Sequence, residues 1–183
     1  MERLLKLAGH IRNDKLRSKV VDMLKNPVMT STGMKHESAD LRKMPASVKF
    51  HHMKEGGLVE HTYSVTRICL EIAKIFSEIY GHKIDTDALL SAALVHDIGK
   101  CWRIKKFNNQ WVMTQSTIDH TILGMAELYA RGFPEEVLHI VASHMGEYGT
   151  TEPNSIEAII LHYVDTLDAV LDVKKNSGNN STF

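Results

Sequence analysis

Apolar residues recur at helical spacing along almost the whole of this 183-residue chain, and that periodicity leaves few folds open to it. From Leu58 to Tyr80 the recurrence runs through Val65, Ile68, Cys69, Ile72, Ile75, Phe76 and Ile79, with Gly81 placed to end the helix. An earlier pattern of Leu16, Val20, Met23 and Leu24 follows a cap at Asp14 and stops at Pro27. Asp85 or Thr86 opens a short, heavily apolar helix through Val95. Further helices are expected at about 118–131, 134–144 and 155–172, with Pro134 in a first helical turn. One stretch departs from the rule: Trp102, Ile104 and Phe107 are set against Trp111 and Met113 across Asn108-Asn109-Gln110, the pattern of a β-hairpin. The expectation is an all-α helical bundle with one small β-hairpin near 102–113. It divides into a basic helical N-terminal extension over 1–44, one domain over 45–173 and a disordered polar tail over 174–183.

Composition narrows the function classes. At 43% hydrophobic and 24% charged residues, the chain fits neither a disordered polymer nor a membrane protein. The longest nearly apolar stretch, Ala88 to Val95, is far short of the roughly 20 residues that cross a bilayer. Glu2, Arg3 and Lys6 interrupt the leucines of the N-terminus, so no leader core is expected there. Cys69 and Cys101 are the only cysteines, which excludes a disulfide framework and a cysteine-based zinc site. The expected setting is cytoplasmic, without membrane contact.

Lys+Arg and Asp+Glu number 22 each, and a net charge of zero argues against a nucleic-acid binder. The sum hides an asymmetry. Residues 1–54 carry 12 basic and 5 acidic residues, and residues 55–183 carry 10 and 17. The acidic part also holds most of the histidines, and histidine with carboxylate is the donor mixture of a divalent metal site.

The strongest local signal is His96-Asp97 followed by Ile98-Gly99-Lys100. Neighbouring residues on a regular helix point about 100° apart, so both side chains reach one ion only where the helix ends or bends. Gly99 is read as that break. Alone, such a pair reads as readily as a helix-end cap. His61, His120, His144 and Asp165 come from other helices, however, and two of them lie near helix ends, so that all can converge on one cleft. Bundle interiors hold dinuclear sites built in this way.

The ordered set His61, His96-Asp97, His120, His144, Asp165 resembles the HD superfamily of metal-dependent phosphohydrolases. More narrowly, several motifs are similar to the catalytic domain of YhaM-type 3′-to-5′ exoribonucleases, over roughly residues 45–172. They are Pro45-Ala46-Ser47, His51-His52, Gly56-Gly57-Leu58-Val59-Glu60-His61-Thr62, His96-Asp97-Ile98-Gly99-Lys100, Ser143-His144 and Asp165-Thr166-Leu167-Asp168-Ala169. The resemblance implies that His61, His96, Asp97 and Asp165 hold one metal, with Asp97 bridging to a second held by His120 and His144. Two divalent ions are implied, Mn²⁺ favoured, with Fe²⁺, Zn²⁺, Co²⁺, Ni²⁺ or Mg²⁺ as alternatives. A hydroxide held between them would attack phosphorus, which makes Asp97 catalytic as well as a ligand, and Lys100 would face the scissile phosphate. Asp168, one helical turn after Asp165, would orient a ligand from behind. His51 and His52 would line the substrate entrance, and Arg103 beside the hairpin is a further candidate for binding the substrate.

The expected substrate is a nucleotide or a short single-stranded nucleic acid. The alternatives are a nucleotidase acting on small phosphomonoesters and a non-catalytic, metal-binding regulatory module; the oligomeric state is left open. Two departures from the family pattern stand out. Met145 follows His144 where relatives often have a second histidine, and methionine is a poor ligand for a hard metal. The exoribonucleases also carry an N-terminal OB-fold, whereas only about 44 helical-looking residues precede the matched region here. That counts against processive RNA degradation more than against phosphoester hydrolysis. Trp102 and Trp111, beside Arg103, Lys105 and Lys106, read equally as a base-stacking surface or as cover for the core. His162 reads as a satisfied core histidine.

Overall fold

A computed structural model describes residues 1–33 and 36–178, the side chains of 177 and 178 aside. In chain order it contains α1 (Glu2–Ala8), α2 (Asp14–Lys25), α3 (Gly57–Tyr80), α4 (Thr86–Val95), α5 (Lys100–Arg103), β1 (Ile104–Phe107), β2 (Gln110–Met113), α6 (His120–Ala130), α7 (Glu135–Ser143) and α8 (Ile156–Gly178). The all-α bundle with one hairpin is therefore the fold.

Helix α4 is the axis of the core. Every residue from Ala88 to Val95 is buried, because α2, α3, α7 and α8 all pack against it. A helix that is apolar all round is stable only when surrounded in this way. Asp85 caps it by accepting the Ala88 N–H at 3.0 Å. Leu4, Leu7, Ile11, Leu16, Val20, Met23 and Leu24 of the first 25 residues join the same core cluster as α4. The link is polar too: the Asp87 carboxylate accepts the backbone N–H of Arg12 at 3.0 Å and of Asn13 at 2.9 Å.

Several local expectations shift. The cap of α2 is Asn13, whose side chain accepts the N–H groups of Lys15 and Leu16, while the expected cap Asp14 is the first helical residue. Pro134 stands just outside α7 instead of in its first turn. The hairpin turn is the two-residue Asn108-Asn109, with φ of 48° and 63°, and Phe107 pairs with Gln110. Asparagine tolerates this left-handed pair better than most residues, and such a turn matches the twist of the strands. Trp102 is not on a strand at all. It sits in α5, fully buried, with Nε1–H donating to the Pro27 carbonyl at 2.9 Å, so it covers the core and offers no face to a base. Finally, α8 does not end near 172 but continues to Gly178, since Lys174 and Lys175 are good helix formers and suit a helix C-terminus. The rest of the expected tail, residues 179–183, lies outside the described residues.

Candidate metal centre

Five elements bring their polar residues to one place. His61 comes from the first turns of α3, His96 and Asp97 from the turn that ends α4, His120 from the first residue of α6, His144 from the C-terminus of α7, and Asp165 from the middle of α8. The turn from His96 to Gly99 is where two adjacent side chains can serve one centre. Gly99 is not a left-handed break: its φ and ψ are −60° and −21°, ordinary helical values. Its lack of a side chain matters for another reason. A Cβ there would lie 1.9 Å from the His120 carbonyl oxygen, so only glycine lets the start of α6 press against the His-Asp turn.

The donors fall into two triads, His61, His96 and Asp165, and Asp97, His120 and His144, each with its ligand atoms within 4.8 Å of one another. In the first, Asp165 Oδ1 lies 2.9 Å from His61 Nε2 and 3.6 Å from His96 Nε2. In the second, the Nε2 atoms of His120 and His144 approach one oxygen, Asp97 Oδ1, at 3.4 and 3.8 Å. Asp97 Oδ2 lies 3.4 Å from both His61 Nε2 and His96 Nε2, so this single carboxylate touches both triads.

All four histidines are held from behind through Nδ1. His61 Nδ1 meets Asp168 at 2.7 Å, His96 Nδ1 the Ala93 carbonyl at 2.9 Å, His144 Nδ1 the Val141 carbonyl at 2.7 Å, and His120 Nδ1 the Asp119 carboxylate at 3.3 Å. An acceptor behind Nδ1 holds a proton there and turns Nε2 inward. The Nε2 atoms of His120 and His144 are buried with no hydrogen-bond partner. Buried polar atoms rarely go unsatisfied without a reason. Two unpartnered imidazole nitrogens converging on a carboxylate oxygen fit a divalent cation.

The charge balance of the site agrees. Burial alone would push the His61 imidazole down, yet hydrogen bonds to Asp165, Asp168 and Asp97 carry it well above its ordinary value. At His96, burial is likewise outweighed by Asp97 and Asp165, and the pKa rises to about 9. His120 is raised too, against burial, chiefly by Asp119. Asp97 and Asp165 are buried as well, which would raise them, but Lys100 and the histidines hold Asp97, and His61 and His96 hold Asp165, well below the usual carboxylate range. His144 moves the other way: burial and the neighbouring His96 lower it to about 4, so it is neutral at pH 7.

The remaining candidates divide. Lys100 Nζ lies 2.6 Å from Asp97 Oδ2. His51 and Arg103 line a cavity of about 760 Å³ that also contains Asp97, Lys100, His120, His144 and Asp165. Arg103 in addition donates to the Ser116 carbonyl. His52 stands behind the cavity, not at its entrance: it is buried, with Nε2 2.8 Å from Asp168 Oδ2 and its backbone N–H donated to Asp172 at 2.6 Å. His162 is buried against the His144 carbonyl through Nδ1 at 2.9 Å, which steadies the turn carrying that histidine. Sequence reasoning missed Asp172, although Asp165, Asp168 and Asp172 follow the three- and four-residue steps of one helix face. It also missed Phe50, Met113 and Tyr148 on the cavity wall, which sit on loops or a strand with no telling period.

Comparison with known proteins places this chain in a family. The HD domain model matches residues 58–170. A dihydroneopterin 2′,3′-cyclic phosphate phosphodiesterase of Methanocaldococcus jannaschii is 45% identical over 174 residues, 94% of this chain and 70% of that protein. The 3′-5′ exoribonuclease YhaM of Bacillus subtilis is 33% identical over 155 residues, covering 76% of this chain and 46% of its own. YhaM of Bacillus pumilus is 31% identical over 183 residues, covering 90% and 55%. The chain thus spans about half the length of these exoribonucleases and shares less with them than with the pterin phosphodiesterase. No solved structure matches it. Among the described residues no helix is long and apolar enough to cross a membrane. The family match and the 45% identical relative together establish that the chain belongs to the HD superfamily of metal-dependent phosphohydrolases.

Proposed function

We propose that the chain is a divalent-metal-dependent phosphodiesterase that hydrolyses a small, ring-bearing phosphate ester, a cyclic phosphate of the pterin or nucleotide kind. Hydrolysis of a phosphoester comes with the family; the finer reading rests on the cavity. Its volume of about 760 Å³ falls within the 300–1,000 Å³ range of small-molecule pockets, suited to one compact ester instead of a run of nucleotides. The name of the 45% identical relative, which specifies a pterin cyclic phosphate, supports the same class.

His61, His96 and Asp165 would hold one cation and His120 and His144 a second, with Asp97 shared, since a carboxylate has two oxygens to give. When bound, such cations supply Lewis-acid stabilisation of phosphoryl charge and a water acidic enough to attack at neutral pH. Imidazole and carboxylate together suit Mn²⁺ first, with Fe²⁺ or Zn²⁺ as alternatives. The chain's own residues set the rest. Asp168 and the carbonyls of Ala93 and Val141 fix the imidazoles so that nothing reorganises when the ester arrives. Lys100, at the cavity wall beside Asp97, carries the positive charge that offsets the charge growing on the phosphoryl oxygens. Apolar side chains around the rest of the cavity keep water from competing with the ester.

The test is a substrate comparison. Mn²⁺-loaded protein is incubated with dihydroneopterin 2′,3′-cyclic phosphate, with adenosine 2′,3′-cyclic phosphate and with a short RNA labelled at its 5′ end. Opening of a cyclic ester with the RNA left intact is expected. Stepwise shortening of the RNA from its 3′ end, with both cyclic esters untouched, would overturn the proposal in favour of an exoribonuclease.

A further inference from the structure

Phosphate chemistry alone does not need the wall that this cavity has. Besides the donors it is lined by Phe50 and Tyr148, two large aromatic side chains on separate segments, together with Met113 and Met145. Phe50 is 73% exposed and Tyr148 80%. Among the described residues neither makes a ring contact with another aromatic side chain. Side chains that line a cavity and are still this exposed stand at its open edge with a ring face uncovered. An uncovered aromatic at the mouth of a polar site is a surface for a flat, polarisable ring, and thioether sulfurs beside it add adaptable contact.

Both loops are tied to the metal centre, which fixes how far a ring would sit from the phosphorus. Ser47 Oγ accepts the Phe50 N–H at 3.1 Å and the Lys49 N–H at 3.2 Å, forming the turn that carries the ring. Two residues on, His52 has a φ of +43°, a left-handed conformation unusual for histidine. It is held there by Asp172 on its N–H and Asp168 on its ring, and Asp168 in turn holds His61. On the other side, the turn Gly146–Tyr148 follows His144 directly. Gly146 lies flat on the His162 ring, where a Cβ would come within 2.2 Å of it, and its φ of +51° suits glycine. His162 donates to the His144 carbonyl, so the Tyr148 turn and a histidine of the second triad share one packing partner.

We infer that Phe50 and Tyr148 are the specificity-determining residues of the site and bind the flat heterocycle of the substrate, of purine or pterin size. The inference deepens the phosphodiesterase reading and rests on it for the identity of the reaction, but not for the binding of the ring. Neither residue touches the reacting atoms, so their loss should fall on KM and leave kcat alone.

The experiment uses Phe50→Ala and Tyr148→Ala, with Phe50→Tyr and Tyr148→Phe as conservative controls. Binding of the phosphate-free rings neopterin and adenosine to the metal-free protein is measured by fluorescence and calorimetry. KM and kcat are measured on adenosine 2′,3′-cyclic phosphate and on the ring-free glycerol 1,2-cyclic phosphate. Removing a base-stacking aromatic weakens contact by about tenfold or more, so each alanine variant should lose that factor in ring binding and in KM for the ring-bearing ester. Both kcat and the constants for the glycerol ester should stay within about threefold, and the conservative variants should restore wild-type behaviour. Unchanged ring binding in the alanine variants, or an equal loss on both esters, overturns the inference. If the wild type opens no cyclic ester, the phosphodiesterase reading fails by itself. Ring binding by the wild type that the alanine variants lose would still support this site, and a wild type that binds neither ring would overturn it.

Discussion

Asp168 Oδ2 lies 2.7 Å from His61 Nδ1 and 2.8 Å from His52 Nε2, so one carboxylate on α8 orients two imidazoles. His61 turns its Nε2 towards Asp165 because its other nitrogen is held in this way. Burial would raise Asp168, but hydrogen bonds from His52 and His61 hold its carboxyl below the ordinary range, so it is ionised at neutral pH.

Replacing Asp168 by alanine should therefore weaken metal binding without removing a ligand. Loss of such an outer partner typically costs about 10–100-fold in metal affinity. Titration with Mn²⁺ should show that drop while circular dichroism reports an intact helical fold. Wild-type affinity in the variant would mean that His61 is positioned by packing alone.

Metal uptake should release protons at pH 7. His61 is raised well above its ordinary value and His96 to about 9, so both carry a proton that a cation must displace, whereas His144, at about 4, is already bare. Affinity should climb as pH rises towards 9. The stability of the metal-free protein should move the other way. A histidine raised in the folded state contributes stability that is complete below its unfolded pKa of about 6.5 and is lost as pH rises through the folded value. Calorimetry in buffers of different ionisation enthalpy would detect the proton release, and a binding heat independent of buffer would contradict it.

Gly99→Ala should damage the second triad selectively. The added methyl would meet the His120 carbonyl at 1.9 Å, and its neighbours there are backbone, so α6 must move away from the His-Asp turn. Overpacking of this kind costs about 3 kcal/mol. The expected result is a lower Tm and a metal stoichiometry that falls by one ion per chain, read by elemental analysis.

Glu127→Ala should lower stability with little effect on the metal centre. The buried Glu127 carboxylate accepts the Thr30 N–H at 2.8 Å and Arg131 Nε–H at 2.7 Å, joining the segment after α2 to α6. Breaking a buried pair by removing one partner costs about 3–5 kcal/mol, and Arg131 keeps its 2.7 Å contact with Asp22, so about 3 kcal/mol is expected. Denaturant unfolding measures the loss, and Mn²⁺ affinity should stay at the wild-type level.

Much of this architecture is legible in the chain itself. Helices α3 and α4 follow directly from apolar periodicity and their capping residues, and the His-Asp step marks the end of α4. The features that escaped are those made by contacts distant in sequence. Gly99 reads as a helix break, yet its conformation is helical and its need for space is set by His120, which arrives 21 positions later. Helix α5 is four residues long, too short for any period, so Trp102 passes for part of a strand. His52 reads as an entrance residue because nothing local reveals that Asp168 and Asp172 reach it from α8.

Two metal ions held by six donors from five elements, with Asp97 between them, are the proposal on which the reading of this site rests. Anomalous diffraction from crystals grown with Mn²⁺ tests it most directly. The account predicts two peaks about 3.5–4 Å apart, one against His61, His96 and Asp165 and the other against His120 and His144, with Asp97 touching both. A single peak, or two peaks that do not share Asp97, would contradict it.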